Sequence, residues 1–277
     1  MSGREQLVAA YLRLHPENAA RLLESLPVHE ANAVLNAVDV ATAAPVVGHM
    51  LPTHAAQCIE RLPPADGALL LERLGSQGSV AVLRHLPIEH REKVLNALGP
   101  QWLVAFKLLL SYPTNTVGAW VEPRVLTLPD DCTVGDARDR IARSEHVTQT
   151  RIYVLDRARR LRGAVLGLAL LQVSSRKKLA SILDPADALW ARDALATAQE
   201  HSVWERHTEA PVVNRDEEFI GVISYVDLRR AFRQVNRVAE PNGDREIAEV
   251  TELIAIGAGS VWRSLGDLIG TDRRTLK

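Results

Sequence analysis

The sequence has little of what disulfide-stabilised folds, zinc sites and membrane spans require. Only two of its 277 residues are cysteines, Cys58 and Cys132, and neither belongs to a Cys-x-x-Cys pair. This excludes a zinc knuckle and a disulfide framework, and a reducing cytoplasm fits best. The longest apolar run, residues 163–171, is shorter than the roughly 20 residues of a membrane-spanning helix. The first residues show no apolar signal region, so we expect neither export nor a membrane span.

Neither charge sign is in excess. The chain has 33 basic and 34 acidic side chains, and aromatic residues make up only 4% of it. A nucleic-acid partner needs a dense run of Lys and Arg with aromatic residues among them, and no region has one. We therefore expect no nucleic-acid partner.

The first third has a repeat of about twelve residues, with one apolar marker position in each unit. The markers are Leu14, Leu26, Val38, Leu51, Leu62, Leu74, Leu86 and Leu98. Pro or Gly follows most of them directly, which ends one helix and sets the start of the next. Small residues recur five positions into the units: Ala19, Ala31, Ala43, Ala56, Gly67 and Ser79. The pattern predicts short helices that stack into a superhelix and present a surface to another domain.

The rest of the chain contains a duplication. Residues 155–166 and 213–224 are each predicted to form a strand, a charged turn with a glycine, and a second strand, and the copies lie 58 residues apart. Further strands are predicted at 125–128 and 188–191, and helices at 133–143 and 193–204. Strands that alternate with helices indicate tandem α/β modules. A predicted helix at 102–110 and the polar linker 114–118 precede them.

The end of the second copy is a candidate ligand site. Ser224 and Asp227 stand three residues apart, where the last strand turns into a helix that includes 228–232. The unpaired N–H groups of a helix N-terminus favour a ligand phosphate, and they equally favour a serine that caps the helix. Both interpretations stay open at this point.

The C-terminal segment combines acidic residues with an amphipathic pattern. Glu246, Glu249 and Glu252 are spaced by three, so a helix would align them, and Asp244 precedes them. They are either a metal-binding face or a solvated one. Apolar residues recur with a helical period over 247–269, and this stripe must be buried on the modules, on a second copy or on a membrane component.

Signatures of an enzyme are missing from the sequence. It has no phosphate-binding Gly-x-x-x-x-Gly-Lys loop and no Gly-x-Ser-x-Gly nucleophile motif. Cys132 is predicted to lie in the turn before a helix, and the spacing assigns it no base. We expect no catalytic activity.

The order of these parts resembles the cytoplasmic region of MgtE-type magnesium transporters. The resemblance rests on the proline-punctuated repeat, the segment Leu110-Ser-Tyr-Pro-Thr-Asn-Thr-Val-Gly118 and the duplicated module, which resembles a CBS pair. It implies an α plus α/β fold: a right-handed-type superhelix of short helices, then a tandem CBS (Bateman) domain, then a C-terminal amphipathic helix. The implied bounds are 1–113 for the superhelix, 114–174 and 175–240 for the two CBS domains, and 241–277 for the final helix.

The resemblance also implies ligands and partners. Gly221, Ser224 and Asp227 are similar to the CBS pattern that holds the ribose of ATP, ADP or AMP, whereas Leu166 and Ala169 occupy the matching positions of the first module, which we expect to bind no nucleotide. Members of that family form homodimers through their CBS modules and bind Mg²⁺ between acidic faces. The implied metal ligands here are Asp227, Asp244, Glu246, Glu249 and Glu252.

Together these features lead us to expect a regulatory, Mg²⁺-sensing module. It would lie in the cytoplasm, at the inner face of the membrane, and gate a separate membrane transporter subunit by a ligand-dependent rearrangement. An adenine-nucleotide sensor is the alternative function.

Overall fold

A computed structural model describes residues 3–144 and 151–239 of the chain. Residues Met1–Phe232 form one compact unit, and Arg233–Lys277 form a second, of which only the end of one helix is described. The helix predicted at 247–269 lies outside the described residues. Across the part of the chain that is described, no helix is long and apolar enough to cross a membrane.

Eight helices occupy residues 3–110. They are α1 (Gly3–Leu14), α2 (Pro16–Glu24), α3 (Val28–Asn36), α4 (Val40–His49), α5 (Pro52–Glu60), α6 (Pro64–Leu83), α7 (Ile88–Ala97) and α8 (Pro100–Leu110). Proline lies in the first turn of α2, α5, α6 and α8, where its missing N–H leaves no hydrogen bond unmade. Gly75, with φ of 76°, breaks α6 into two helical pieces. The predicted succession of short helices is confirmed.

The structure corrects one marker of the repeat. Leu51 is 59% exposed, whereas Met50 is only 7% exposed. With Met50 in its place, every interval between markers is twelve residues. Met50 ends α4 and packs inward, and its unbranched side chain suits an irregular gap in the core. Leu14, at the end of α1, is also exposed, so the marker is not buried in every unit.

The small residues of the repeat lie between the helices. All six are buried: Ala19, Ala31, Ala43, Ala56, Gly67 and Ser79. The Ser79 hydroxyl donates to the Leu71 carbonyl, so its burial leaves no polar group unsatisfied. α6 lies against α4, α5, α7 and α8, and these short side chains let the helices approach closely. The small residues that recur in the sequence are therefore part of the contacts between the helices.

Two three-stranded sheets follow, one in each copy of the duplication. The first contains β1 (Thr127–Pro129), β2 (Arg151–Leu155) and β3 (Leu161–Leu166), and the second β4 (Leu189–Trp190), β5 (Glu209–Val213) and β6 (Phe219–Ser224). In each sheet the first pair of strands is parallel and the second antiparallel. The duplication predicted from the sequence is therefore present in the backbone.

The described part of the modules contains the helices α9 (Val134–Ala142), α10 (Gly167–Gln172), α11 (Leu195–Gln199) and α12 (Tyr225–Ala239). The prediction of one helix over 193–204 is wrong in its length. α11 ends at Gln199, and a separate 3-10 turn, Ser202–Glu205, follows it. The cause is local, because His201 Nδ1 accepts a hydrogen bond from the Val203 N–H (3.1 Å) and so caps a new turn.

Each sheet is extended by a segment from the other half of the duplication. Glu122 pairs with Val222 on β6 through N–H···O bonds of 2.7 and 3.0 Å, and Asp184 pairs in the same way with Ala164 on β3. These pairings cross the boundary predicted at 174/175. The bounds of the four predicted domains stay predictions.

Two glycines permit this close approach. Gly221 has φ of 153°, and a Cβ there would lie 2.6 Å from the Glu122 carbonyl oxygen. Gly163 has φ of 155°, and its Cβ would lie 2.7 Å from the Asp184 carbonyl oxygen. Only glycine tolerates both the backbone conformation and the contact. These residues therefore determine how the two modules fit together.

Candidate functional site

Strand β6 meets helix α12 at a short polar motif. The Asp227 N–H donates to Ser224 Oγ (3.0 Å), and the Ser224 hydroxyl donates to Asp227 Oδ2 (2.6 Å). The serine thereby satisfies one of the N–H groups that the first turn of a helix leaves unpaired. The capping interpretation of this pair describes its geometry, and the ligand role stays a prediction.

The Asp227 carboxylate can still accept further hydrogen bonds. Its side chain is 33% exposed, and Oδ1 accepts from Arg230 Nη1 at 3.0 Å. Each carboxylate oxygen has two lone pairs, so one site on each remains after the bonds to Arg230 and Ser224. The hydroxyls of a ribose are donors of the kind that would fit there. The positive end of the α12 dipole also favours an anionic ligand.

Gly221 contacts protein backbone in this structure. The Glu122 carbonyl occupies the space above its Cα, as described above. The structure therefore gives Gly221 a packing role, and its assignment to a nucleotide site stays a prediction.

The sequence pattern missed two side chains that lie next to the motif. Glu209 pairs with Ser224 in the β5–β6 register, and burial raises the pKa of its carboxyl group. The ring of Trp204 lies 5.1 Å from that of Tyr225, centroid to centroid, at the start of α12. The one available signal was Glu209 itself, an acid that opens the otherwise apolar strand Glu-Ala-Pro-Val-Val.

A buried tyrosine packs between the two modules. The Tyr153 ring lies 5.7 Å from the ring of Phe219, within a cluster that both modules share. Among the described residues its hydroxyl has no hydrogen-bond partner, and burial raises its pKa to about 12. The phenol therefore remains protonated. The charge of Arg151 lowers this pKa and the charge of Glu209 raises it.

The first module has no polar motif at the corresponding position. Leu166 precedes α10 and provides no side-chain cap, and Ala169 packs on the apolar core of that module. This module instead caps α9, where Thr133 and Asp136 form a reciprocal capping box. Hydrogen bonds from Thr133 lower the pKa of Asp136.

The predicted metal ligands lie mostly outside the described residues. Asp227 is described, whereas Asp244, Glu246, Glu249 and Glu252 are not. Across residues 3–144 and 151–239, no group of three or more His, Cys, Asp or Glu side chains is placed to hold a metal ion. The metal site therefore stays a prediction.

Both cysteine thiols are buried. Burial raises the pKa of Cys58 and of Cys132. The thiolate is the nucleophilic form, so a raised pKa makes both side chains poor nucleophiles. They are best described as small apolar core residues.

Two family models match this sequence. Residues 14–115 match the MgtE intracellular N domain, and residues 185–234 match the CBS domain. No curated protein matches the sequence. The N domain precedes the CBS domain, as the resemblance to the cytoplasmic region of MgtE-type transporters requires. The two matches confirm this resemblance.

Two crystal structures share the fold. One is the cytosolic domain of the Mg²⁺ channel MgtE in complex with ATP, with a TM-score of 0.65, 22% identity, and coverage of 78% of this chain and 90% of that one. The other is the soluble part of a magnesium transporter, with a TM-score of 0.56, 18% identity, and coverage of 83% of this chain and 97% of that one. The similarity confirms the predicted fold class, short helices followed by CBS-type sheets and helices.

Proposed function

We propose that this chain, an MgtE intracellular N domain joined to CBS modules, is the cytosolic regulatory part of a magnesium transport system. The observation that carries the proposal is the order of its matched domains. The chain would act at the inner face of the membrane, where a ligand-dependent rearrangement of its domains gates a membrane partner.

A single residue could transmit such a rearrangement. Glu122 Oε1 accepts a hydrogen bond from Ser76 Oγ in α6 (2.9 Å), and the Glu122 backbone pairs with Val222 in β6. Gln77 Nε2 donates to the Trp120 carbonyl oxygen nearby (2.8 Å). A ligand that shifts the junction of β6 and α12 would therefore act on α6 through Glu122. This supports coupling between the CBS pair and the helical repeat.

An adenine nucleotide is the ligand that the described residues favour. Asp227 offers free acceptor positions at a helix N-terminus, and Glu209 pairs with Ser224 of the same motif. The related cytosolic domain of MgtE was crystallised with ATP. We infer that ATP, ADP or AMP binds with its ribose hydroxyls donating to Asp227.

Calorimetric titration of the whole chain with ATP, ADP and AMP tests this site. Asp227→Ala should weaken binding by at least about tenfold, because two charge-assisted hydrogen bonds are lost. Asp136→Ala is the matched control, since it removes the same kind of cap from α9 of the first module. Equal affinity of Asp227→Ala and the unchanged protein would show that the site is misplaced.

Mg²⁺ is the second ligand that we propose, and the acidic residues of the C-terminal segment support it. Mg²⁺ is held by carboxylates brought together with bound water. Magnesium chloride at millimolar concentration should raise the melting temperature, and the double variant Glu246→Gln/Glu249→Gln should lose that shift. An unchanged melting temperature in the original chain would contradict Mg²⁺ binding.

We also propose that the chain forms a homodimer through its CBS modules. Leu168 in α10 and Val226 in α12 occupy equivalent positions of the two modules, and they are 76% and 63% exposed. Two apolar residues repeated on equivalent helices favour a contact with a second copy. Leu168→Glu/Val226→Glu should sediment as a monomer, whereas Ile88→Glu, in the exposed face of α7, should remain dimeric. A monomeric unmodified chain would refute this contact.

A further inference from the structure

A cavity of about 180 Å³ lies between the end of the helical repeat and the second module. Neither Ser224 nor Asp227 lines it. Its walls are Tyr112, Trp190, Ala191, Arg192, Asn214, Arg215 and Asp216. Trp190 ends β4 and Arg192 follows it, and residues 214–216 lie in the turn between β5 and β6.

The first module shows which side chains occupy the positions equivalent to those of Arg192 and Arg215. Leu128 pairs with Val154 and Leu189 with Val212, so Asp131 and Arg192 occupy equivalent positions after β1 and β4. Arg157 and Arg215 occupy equivalent positions in the two turns. In the first module, Asp131 Oδ2 and Arg157 Nη2 form an ion pair of 3.2 Å. The fold therefore brings these two positions within contact of each other.

The second module has replaced the acid of that pair by a base. Arg192 and Arg215 both line the cavity, and within the described part of the chain neither forms an ion pair or a hydrogen bond. Two guanidinium groups held at adjacent positions repel each other unless an anion lies between them. The planar, multiple N–H donors of arginine match the oxygens of a phosphate group.

The other walls define the rest of the ligand. Trp190 is 46% exposed and offers a flat apolar face. Burial raises the pKa of Tyr112, so its hydroxyl remains a donor. One N–H of the Asn214 amide donates to Glu218 Oε2 (2.8 Å), and the second remains as a donor. The Asp216 carboxylate opposes an anion, so the wall has a net charge of one positive unit from its two arginines and one acid.

We propose that this cavity binds a small phosphate monoester that has a flat apolar group. The phosphate lies between Arg192 and Arg215, and the flat group stacks on Trp190. The site is separate from the nucleotide site of the proposed function, and it does not depend on it. Because Tyr112 follows the last helix of the repeat, a bound ligand would contact both the repeat and the second module.

Titration of the whole chain with phenyl phosphate, followed by calorimetry, tests the proposal. We expect saturable binding at one site, weakened at least about tenfold by Arg192→Gln and by Arg215→Gln. Asp216→Asn should tighten binding, because it removes the opposing charge. Inorganic phosphate should bind more weakly than phenyl phosphate, because it lacks the ring that stacks on Trp190.

Two control variants make the result specific. Arg157→Gln alters the equivalent turn of the first module, and Asp227→Ala alters the proposed nucleotide site; both should bind phenyl phosphate as the unchanged chain does. Absence of saturable binding would overturn the proposal. The proposal would also be overturned if Arg192→Gln and Arg215→Gln both bound phenyl phosphate with unchanged affinity. The same holds if Arg157→Gln weakened binding as much as they do.

Discussion

The two CBS-type modules share details of the backbone and differ in the side chains at the ends of their sheets. Each antiparallel pair has a bulge at the equivalent place, between Val154 and Leu155 and between Val212 and Val213. The turns that follow both contain a non-glycine residue with φ of 61°. The differing pairs, first module then second, are Leu166/Ser224, Ala169/Asp227, Arg151/Glu209 and Asp131/Arg192. Backbone geometry and site chemistry are therefore specified by different residues.

The two modules also differ in which of their helices has a side-chain cap. The first module caps α9 with Thr133 and Asp136, whereas the second caps α12 with Ser224 and Asp227. The N-cap of α11 in the second module, Ala194, provides no side-chain hydrogen bond. A Ser/Thr-x-x-Asp motif is thus a local stabilising device in both modules. What sets Asp227 apart is that its helix directly follows β6, the strand that pairs with Glu122.

The largest expected effect tests what the modules have in common. Gly221→Ala and Gly163→Ala should each lower the free energy of unfolding by about 3 kcal/mol, because the new Cβ meets a carbonyl oxygen at an unfavourable φ. Urea unfolding measures this. Gly167→Ala is the control, since nothing lies within 4 Å of its Cβ. If Gly221→Ala lowered the free energy of unfolding and Gly163→Ala did not, the two modules would not fit together symmetrically.

A smaller change in the free energy of unfolding tests the difference in capping between α12 and α10. Ser224→Ala should lower the free energy of unfolding by about 1 kcal/mol, because α12 loses its cap. The reverse change, Leu166→Ser, should stabilise the chain by a similar or smaller amount, because it gives α10 a capping serine. Thermal and urea unfolding measure both. No change in either variant would mean that a serine at this position contributes nothing to helix stability.

The smallest effect concerns pH and the pair Arg151/Glu209. Burial raises the pKa of Glu209 above its ordinary value of 4.5, so the folded chain binds this proton more tightly than the unfolded chain. Its contribution to stability is present below the ordinary pKa and is lost as pH rises through the raised one. Glu209→Gln should therefore become more stable than the unchanged chain as pH rises from about 4 to about 7.

Unfolding curves measured across that pH range test the sign. A stability difference for Glu209→Gln that is constant, or that shrinks as pH rises, would contradict the assignment.

Sequence patterns predicted the elements well where local chemistry determines them. Pro and Gly fixed the helix starts of the repeat, and the 58-residue duplication predicted the paired sheets. Met50 was missed because Pro52 follows Leu51 and makes Leu51 look like the marker. The pairings of Glu122 with Val222 and of Asp184 with Ala164 were not predictable, because they join residues distant in sequence without a recognisable pattern.

The candidate site was predicted in part. Ser224 and Asp227 could be found because they adjoin in sequence, at a helix start. Glu209 could not be connected to them, since only the pairing of β5 with β6 places it opposite Ser224. The sequence did not indicate that Arg192 and Arg215 line one cavity either, because only the fold brings them together. Only alignment of the two modules in space shows that an arginine has replaced the acid of an ion pair.

The account depends most on the claim that the second module alone retains nucleotide chemistry. The most direct test is the number of ATP molecules that calorimetry finds per chain, before and after Ser224→Leu/Asp227→Ala, which gives the second module the residues of the first. We expect one molecule before the change and none after it, with the far-UV circular dichroism spectrum unchanged. No binding to the original chain, or binding that survives the double substitution with unchanged affinity, would contradict the claim.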